Sequence, residues 1–562
     1  MIAKWDISVP LVAALVAVLV AIVGLPVGWL GYFSLTDRAG AWTLANFVAV
    51  ATDPDFLGPL ATTLGVAVAS GMGATGVAAP VAWLIARSDM PWRGAIRTLI
   101  MASFVTPPFL GAIAWEILAA PNSGALNALW RSLTGASSDD ILFNIYSAPG
   151  LAFVIGCYTF SYVFVLIANA LERIPAELED SSSNLGAGAF RTLTRITLPL
   201  ALPAILAGSL VAFLQAMTLF GSPAILAMPA GFHTLTTKIW SLFQYPPKPG
   251  LAAAAALPLL GLTVFLLWTQ ARLLGRRSFA VIGGRHGAPR RVPLGTLGGW
   301  VAVAGCLLVL SLPVFLPYGA LFKAAFTRIP SAPLTLDALT LHNVIFVFAE
   351  FSQTLPALRN TLVFGAATAT VGSLLAFAIA YLVVRRAVRY PRALGFLATA
   401  PVAIPGIVLG VGLFLSYTRP PLVLYGTAWI LLIAYLTIEL PAAYQQMQSA
   451  LRSLGADLED AGRLLGASRL KTLRDIVAPL MASGLIASWC LIFIGVMREL
   501  SAAIMLVTSD TKVISVVIYD LNESGDLGAI SVLGLCLLIA TFVVVGLAQR
   551  LARGGQARIR YG

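Results

Sequence analysis

Charge is what this sequence has least of. Asp, Glu, Lys and Arg make up 11% of its 562 residues, against 59% hydrophobic, too little polar material to cover a water-soluble domain. Histidine occurs three times, as His233, His286 and His342. Each stands apart from the others and from any acidic cluster, so no metal centre is expected and the three are read as solvated loop residues. The four cysteines, Cys157, Cys306, Cys490 and Cys536, lie singly inside apolar runs, with no CxxC pair to suggest zinc or a disulfide framework. No G-x4-G-K-[ST] loop is present to cradle ATP phosphates. HExxH, a nucleophile elbow and a clustered acid–base set are missing as well, which speaks against an enzyme. No cofactor is expected.

Apolar runs are abundant. Nearly charge-free stretches cover 10–30, 60–85, 99–117 (with Glu116), 151–171, 201–229 and 251–269, and then 298–321, 361–384, 394–416, 422–438, 476–497 and 529–548. These are about twelve segments, each long enough to cross a hydrocarbon core of roughly 30 Å as a helix. Helices are favoured because they satisfy their own backbone groups, and short alternating barrel strands are missing. The expected fold is therefore an all-α polytopic membrane protein. The first run is longer than a signal-peptide core and no small-x-small site ends it, so it counts as the first span.

The formal net charge of +12 invites a nucleic-acid reading, but its distribution argues for membrane topology. With connections taken alternately inside and outside, most Lys and Arg fall on one side. Arg87, Arg93, Arg97, Arg191, Arg195, Arg276, Arg277, Arg385, Arg386, Arg463 and Arg474 are among them. That asymmetry is the positive-inside pattern. It places both termini in the cytoplasm, with the basic residues against anionic lipid headgroups and no nucleic acid as partner.

The chain reads as two copies of one unit. Thr63-Leu64 pairs with Thr361-Leu362, Ala82 to Arg87 with Ala380 to Arg385, and Pro107 with Pro405, all at one offset. Gly186 with Gly466 and Pro199 with Pro479 share a second, shorter offset. The change of register falls in the loop after the third span, long at 121–149 and short at 418–421, where insertions are tolerated. The expected units are residues 1–275 and 296–562, joined by a Gly-, Arg- and Pro-rich cytoplasmic linker at 276–295. Six spans in each unit make the repeats parallel, with passage at their interface.

The loop between the fourth and fifth spans of each unit (174–199 and 454–479) is the most informative. It reads Leu178-Glu179-Asp180, then Gly186 and Pro199; its copy reads Leu458-Glu459-Asp460, then Gly466 and Pro479. Acidic residues suit a helix start, glycine ends a short helix, and proline marks where the next membrane helix begins. At these residues the chain resembles the permeases of ATP-binding-cassette importers, whose signature is Glu-Ala-Ala-x3-Gly-x9-Ile-x-Leu-Pro. The departures are Asp180 and Asp460 for Glu, Ser181-Ser182 and Ala461-Gly462 for the alanines, and Ala478 for leucine. The resemblance implies that Glu179, Asp180, Gly186 and Pro199, with Glu459, Asp460, Gly466 and Pro479, couple the chain to a cytoplasmic ATPase dimer. It further implies a solute delivered by a periplasmic binding protein at the bacterial inner membrane.

Strings such as Phe220-Gly-Ser-Pro-Ala224 and Met497-Arg498-Glu499-Leu500-Ser501 resemble the ferric-iron branch of that family. Relatives for thiamine, aminoethylphosphonate and polyamines stay open as alternatives, and so does an ion-coupled secondary transporter. Ionisable residues at membrane depth are functional candidates by default, and Glu439, Arg498 and Glu499 are assigned to the substrate pathway. The competing reading puts Arg498 and Glu499 near the outer interface, paired with neighbouring helices. Glu116 is expected to be wet.

Overall fold

The computed structural model describes residues 8–137, 139–275, 291–330, 335–455 and 457–561. Most of the linker at 276–295, including His286, lies outside them. Among the described residues the chain is helical, and extended backbone is limited to isolated bridges. Among the described residues nine helices are long and apolar enough to cross a membrane, and counting each of three bent pairs as one span brings the number to twelve.

In the first unit, span 1 is Ala13–Ser34, span 2 Pro54–Arg87, span 4 Ala148–Glu172, span 5 Ala189–Thr218 and span 6 Pro249–Arg272. Span 3 is broken, Arg93–Val105 meeting Pro108–Ala119 at 98°. In the second unit, span 7 is Gly295–Ala325, span 8 Thr354–Val384, span 10 Ala428–Ser453 and span 12 Leu527–Arg550. Span 9 is broken at 106° between Pro391–Ala403 and Gly406–Tyr417, and span 11 bends by 60° between Leu473–Leu480 and Ala482–Arg498. Each apolar segment of the sequence has its helix, and the two units follow the same order.

Two expectations need correcting. Spans 3 and 9 each read in the sequence as one apolar segment long enough to cross as a helix, yet both turn sharply at the prolines that identified the repeat. Thr106 and Pro107 are extended, and so are Ile404 and Pro405. Proline has no N–H to donate, and it pushes the residue before it out of the helical region. Span 10 was expected at 422–438, but its helix runs from Ala428 to Ser453. The polar run Tyr444-Gln445-Gln446 hid its second half, and Glu439 therefore lies mid-helix rather than at an end.

Burial sets the layers. Span 4 is 72% buried along its apolar window and span 1 only 22%, so span 4 belongs to the centre and span 1 to the rim. The halves also interlock. A Cβ on Gly412 of span 9 would stand 2.9 Å from Pro26 of span 1, and Tyr417 donates its hydroxyl to the Ala21 carbonyl at 3.3 Å. In return, Tyr318 of span 7 hydrogen-bonds Thr106 beside the break of span 3 at 2.7 Å. Small residues at these crossings let backbones approach where lipid supplies no hydrophobic drive.

Candidate functional site

Two constructions stand out: a pair of latched short helices at one end of the bundle, and a charged cavity between the halves.

The short helix Ala176–Asn184 follows span 4, and Asp457–Leu464 follows span 10. The adjacent acids divide the work. Glu179 is buried against its own unit, where it accepts from Thr197 Oγ1 at 2.6 Å and pairs with Arg87 Nη1 at 3.4 Å. Arg87 is itself 1% exposed and donates through Nη2 to the Ile174 carbonyl at 2.9 Å. In the second unit Arg385 Nε donates to Glu459 Oε1 at 2.7 Å, and Nη2 donates to the Leu454 carbonyl at 3.0 Å. The second oxygen of Glu459 accepts from Tyr381 at 3.1 Å. The hydroxyl donor has moved between units: Thr197 and Trp83 in the first stand where Val477 and Tyr381 do in the second. The buried carboxylate keeps a hydroxyl partner each time, as burial requires.

Asp180 and Asp460 face outward, exposed, beside Leu185, Leu464 and Leu465, which are 88%, 89% and 90% exposed. Gly186 and Gly466 end the helices at φ +81° and +86°. The next amides turn back, Ala187 N to Ser182 O and Ala467 N to Gly462 O, both at 3.1 Å, a Schellman closure that favours glycine. Pro199 and Pro479 do not open the following helices. Span 5 already starts at Ala189, and a π-turn, Leu193–Thr197 or Leu473–Val477, precedes each proline. The wider turn absorbs the donor that proline lacks. The end of the linker joins this cluster: Val292 N donates to the Arg87 carbonyl at 2.7 Å, and Leu294 N to Asp89 Oδ1 at 2.9 Å.

The cavity, of about 300 Å³, is lined by Phe104, Tyr162 and Gln215 of the first unit and by Glu439, Arg498 and Glu499 of the second. Glu439 packs its carboxylate on Gly495 of span 11. Glu499 Oε1 accepts from Ala502 N at 2.7 Å at the turn after span 11. Arg498 crosses the interface, its Nη1 donating to the Phe104 carbonyl at 2.5 Å and to Tyr162 Oη at 3.1 Å. The three charged pathway candidates thus share one chamber at the junction of the halves, and Arg498 is paired with neighbouring helices as the competing reading expects. Glu116 is half-buried and accepts from Tyr146 at 2.7 Å, so it is not simply wet. His233, expected in solvent, is also half-buried; burial first, then Lys238, holds its imidazole below the usual range. Among the described residues no group of three or more His, Cys, Asp and Glu is placed to hold a metal.

Sequence reasoning missed Arg87, Arg385, Tyr381 and Thr197 as working residues. The two arginines register in the sequence only as topology signals, although their equal places in the repeat could have flagged them. Tyr162 and Phe104 carry no signal of charge or motif. Thr63 and Thr361 mark the repeat, and their spacing does not show what they do. Each hydroxyl accepts an amide opening a short helix, Leu235 N or Ile514 N, at 2.8 Å.

The family described as the binding-protein-dependent transport system inner membrane component matches residues 78–278 and 370–554, one match in each unit. The chain belongs to this family. Among relatives of this permease, the ferric transport system permease protein of Actinobacillus pleuropneumoniae is 27% identical over 78% of the chain and 63% of its own length. A ferric transport system permease protein named as putative in Haemophilus influenzae is 28% identical over 73% of the chain and 64% of its own length. The permease therefore spans under two thirds of the length of either. A 2-aminoethylphosphonate transport system permease protein, also named as putative, from Salmonella paratyphi A is 27% identical over 27% of the chain and 58% of its own length.

Proposed function

We propose that this chain is the fused double permease of an ATP-driven importer and that its solute is ferric iron, delivered by a periplasmic binding protein. The observation behind the importer reading is the duplicated latch: two short helices, each fixed inward by a buried Arg–Glu pair and each offering an aspartate and bare leucines outward. Exposed apolar side chains rimmed by charge mark a protein contact, and two such faces suit a dimeric ATPase. On this reading 1–275 and 296–562 are the units, the latches and both termini face the cytoplasm, and ATP is hydrolysed by a separate subunit. Iron is favoured because two relatives that match about three quarters of the chain are named for ferric transport, while the aminoethylphosphonate relative matches about a quarter of it.

ATPase closure pulls the two short helices together. Each is rigidly tied to spans 2 and 4, or 8 and 10, so the units rock and the interface cavity opens to the other side. An ion-coupled carrier would also place charges at mid-membrane, but it would have no use for a pair of outward docking helices. The test is ATP hydrolysis in proteoliposomes holding the chain and its ATPase, with binding protein empty or loaded with ferric iron, aminoethylphosphonate, thiamine or a polyamine. Stimulation by the ferric form alone is expected. Stimulation by another load overturns iron, and no response to any load overturns the importer.

A further inference from the structure

Resting on the importer reading, we propose that Arg498 is a two-position latch. It holds the halves closed by bonding across the cavity. When the halves part it turns onto Glu439 and Glu499 of its own half, displacing a cation held between them.

The first position is the one observed. The polar contacts of the Arg498 side chain go to the opposite half, to the Phe104 carbonyl and Tyr162 Oη. The rings of the same two residues lie 5.2 Å and 5.7 Å from its guanidinium. The sequence explains why that carbonyl is open. In a continuous helix Phe104 O would accept from the amide four residues on, but residue 108 is proline and has no N–H. The break of span 3 therefore leaves an acceptor at membrane depth, where an unmet carbonyl is costly, and Arg498 fills it.

The second position is built into the same chamber. Glu439 and Glu499 line it; the charge of Arg498 already acts on both, but among the described residues neither is in direct ion-pair contact with it. All three charges belong to the second half. The matching positions of the first half hold Thr159, Thr218 and Leu219, so the repeat does not require the charges. Among the described residues lining the cavity, those of the first half are neutral. Every bond of the observed position is lost when the halves separate, and among the residues lining the cavity the two carboxylates then remain as charged partners for Arg498. An element with two discrete sets of partners is what a switch needs. While Arg498 is held across the interface, the carboxylates are left to a hard cation passing through. Once released, it competes with that cation for them.

The experiment uses the reconstituted complex and reads ATP hydrolysis without binding protein. Removing a hydrogen-bonded charge shifts such an equilibrium by roughly tenfold, so Arg498→Ala is expected to raise this basal rate by about that factor. Tyr162→Phe, which keeps the ring and removes one of the two acceptors, is expected to raise it less. Glu439→Gln with Glu499→Gln removes the second position and is expected to lower the rate below wild type. A lost structural contact would move all three variants the same way, and that result overturns the latch, as does a wild-type rate throughout. Terbium, a hard trivalent probe read by tyrosine-sensitised luminescence, checks displacement: Arg498→Ala is expected to bind it at lower concentration than wild type. Equal or weaker binding overturns the displacement step. Stimulation of the wild-type complex by ferric-loaded binding protein alongside any of these failures sinks the latch alone; no stimulation by any load sinks the importer reading and the latch with it.

Discussion

At the residue scale, buried charge does the positioning. Arg87 with Glu179 and Arg385 with Glu459 tie the short helices to spans 2 and 8. Removing one member leaves the other buried without its ion partner, at a cost of about 3–5 kcal/mol. Arg385→Ala is thus expected to free the second short helix, seen as new protease cleavage within 454–466 and lost uptake with membrane insertion intact. The exchanged hydroxyl donor makes a finer prediction. Thr197→Val is expected to weaken the first latch by about 1.5–3 kcal/mol, the worth of a hydrogen bond to a charge. Adding Trp83→Tyr recreates the second unit's arrangement and is expected to restore uptake; a double variant no better than Thr197→Val would count against it. Gly186 and Gly466 were recognisable from spacing alone, because positive φ needs glycine, whereas the division between Glu179 inward and Asp180 outward was not. Adjacent residues on a short helix point apart, and only the packing of spans 2 and 5 decides which faces in. Replacing either glycine by alanine costs roughly 1–2 kcal/mol for the left-handed backbone, and tryptophan at both is expected to separate hydrolysis from transport. Normal uptake by the double tryptophan variant would sink that expectation.

At the scale of elements, proline decides shape. The apolar runs were legible because a membrane helix must be long and unbroken by charge. Their geometry was less so: Pro107 and Pro405 announced a repeat, but the turns of 98° and 106° depend on what packs around the freed carbonyls. Span 10 shows the opposite error, its polar second half being invisible to hydropathy although Tyr444 is buried in protein, with Gln445 and Gln446 exposed beside it. The contact between spans 10 and 11 is close at Gly495, where any Cβ would run into the Glu439 carboxylate. Gly495→Leu is expected to push the two spans apart and abolish uptake, while Gly495→Ala is expected to retain part of it. Equal uptake by both would show that the approach of the two spans has no role in the pathway.

At the scale of the molecule, the halves are knotted by their first spans. Span 1 lies on span 9 and span 7 on span 3, so covalent fusion is not what holds the units together. Two chains cut within 276–290 and expressed together are expected to co-purify and transport; failure to co-purify would mean the crossings are too weak to replace the linker. The doubled architecture was readable from two offsets in the sequence, but the crossing of the first spans was not, since an evenly apolar helix carries no mark of its neighbour. The central claim is that energy enters through both short helices. Cysteines at Asp180 and Asp460, in a chain whose native cysteines are replaced, test it by disulfide cross-linking to cysteines in the ATPase surface. The account predicts a cross-link from each position, changing in yield with ATP. An ATPase that hydrolyses without the chain and cross-links at neither position would contradict it and leave an ion-coupled carrier as the better reading.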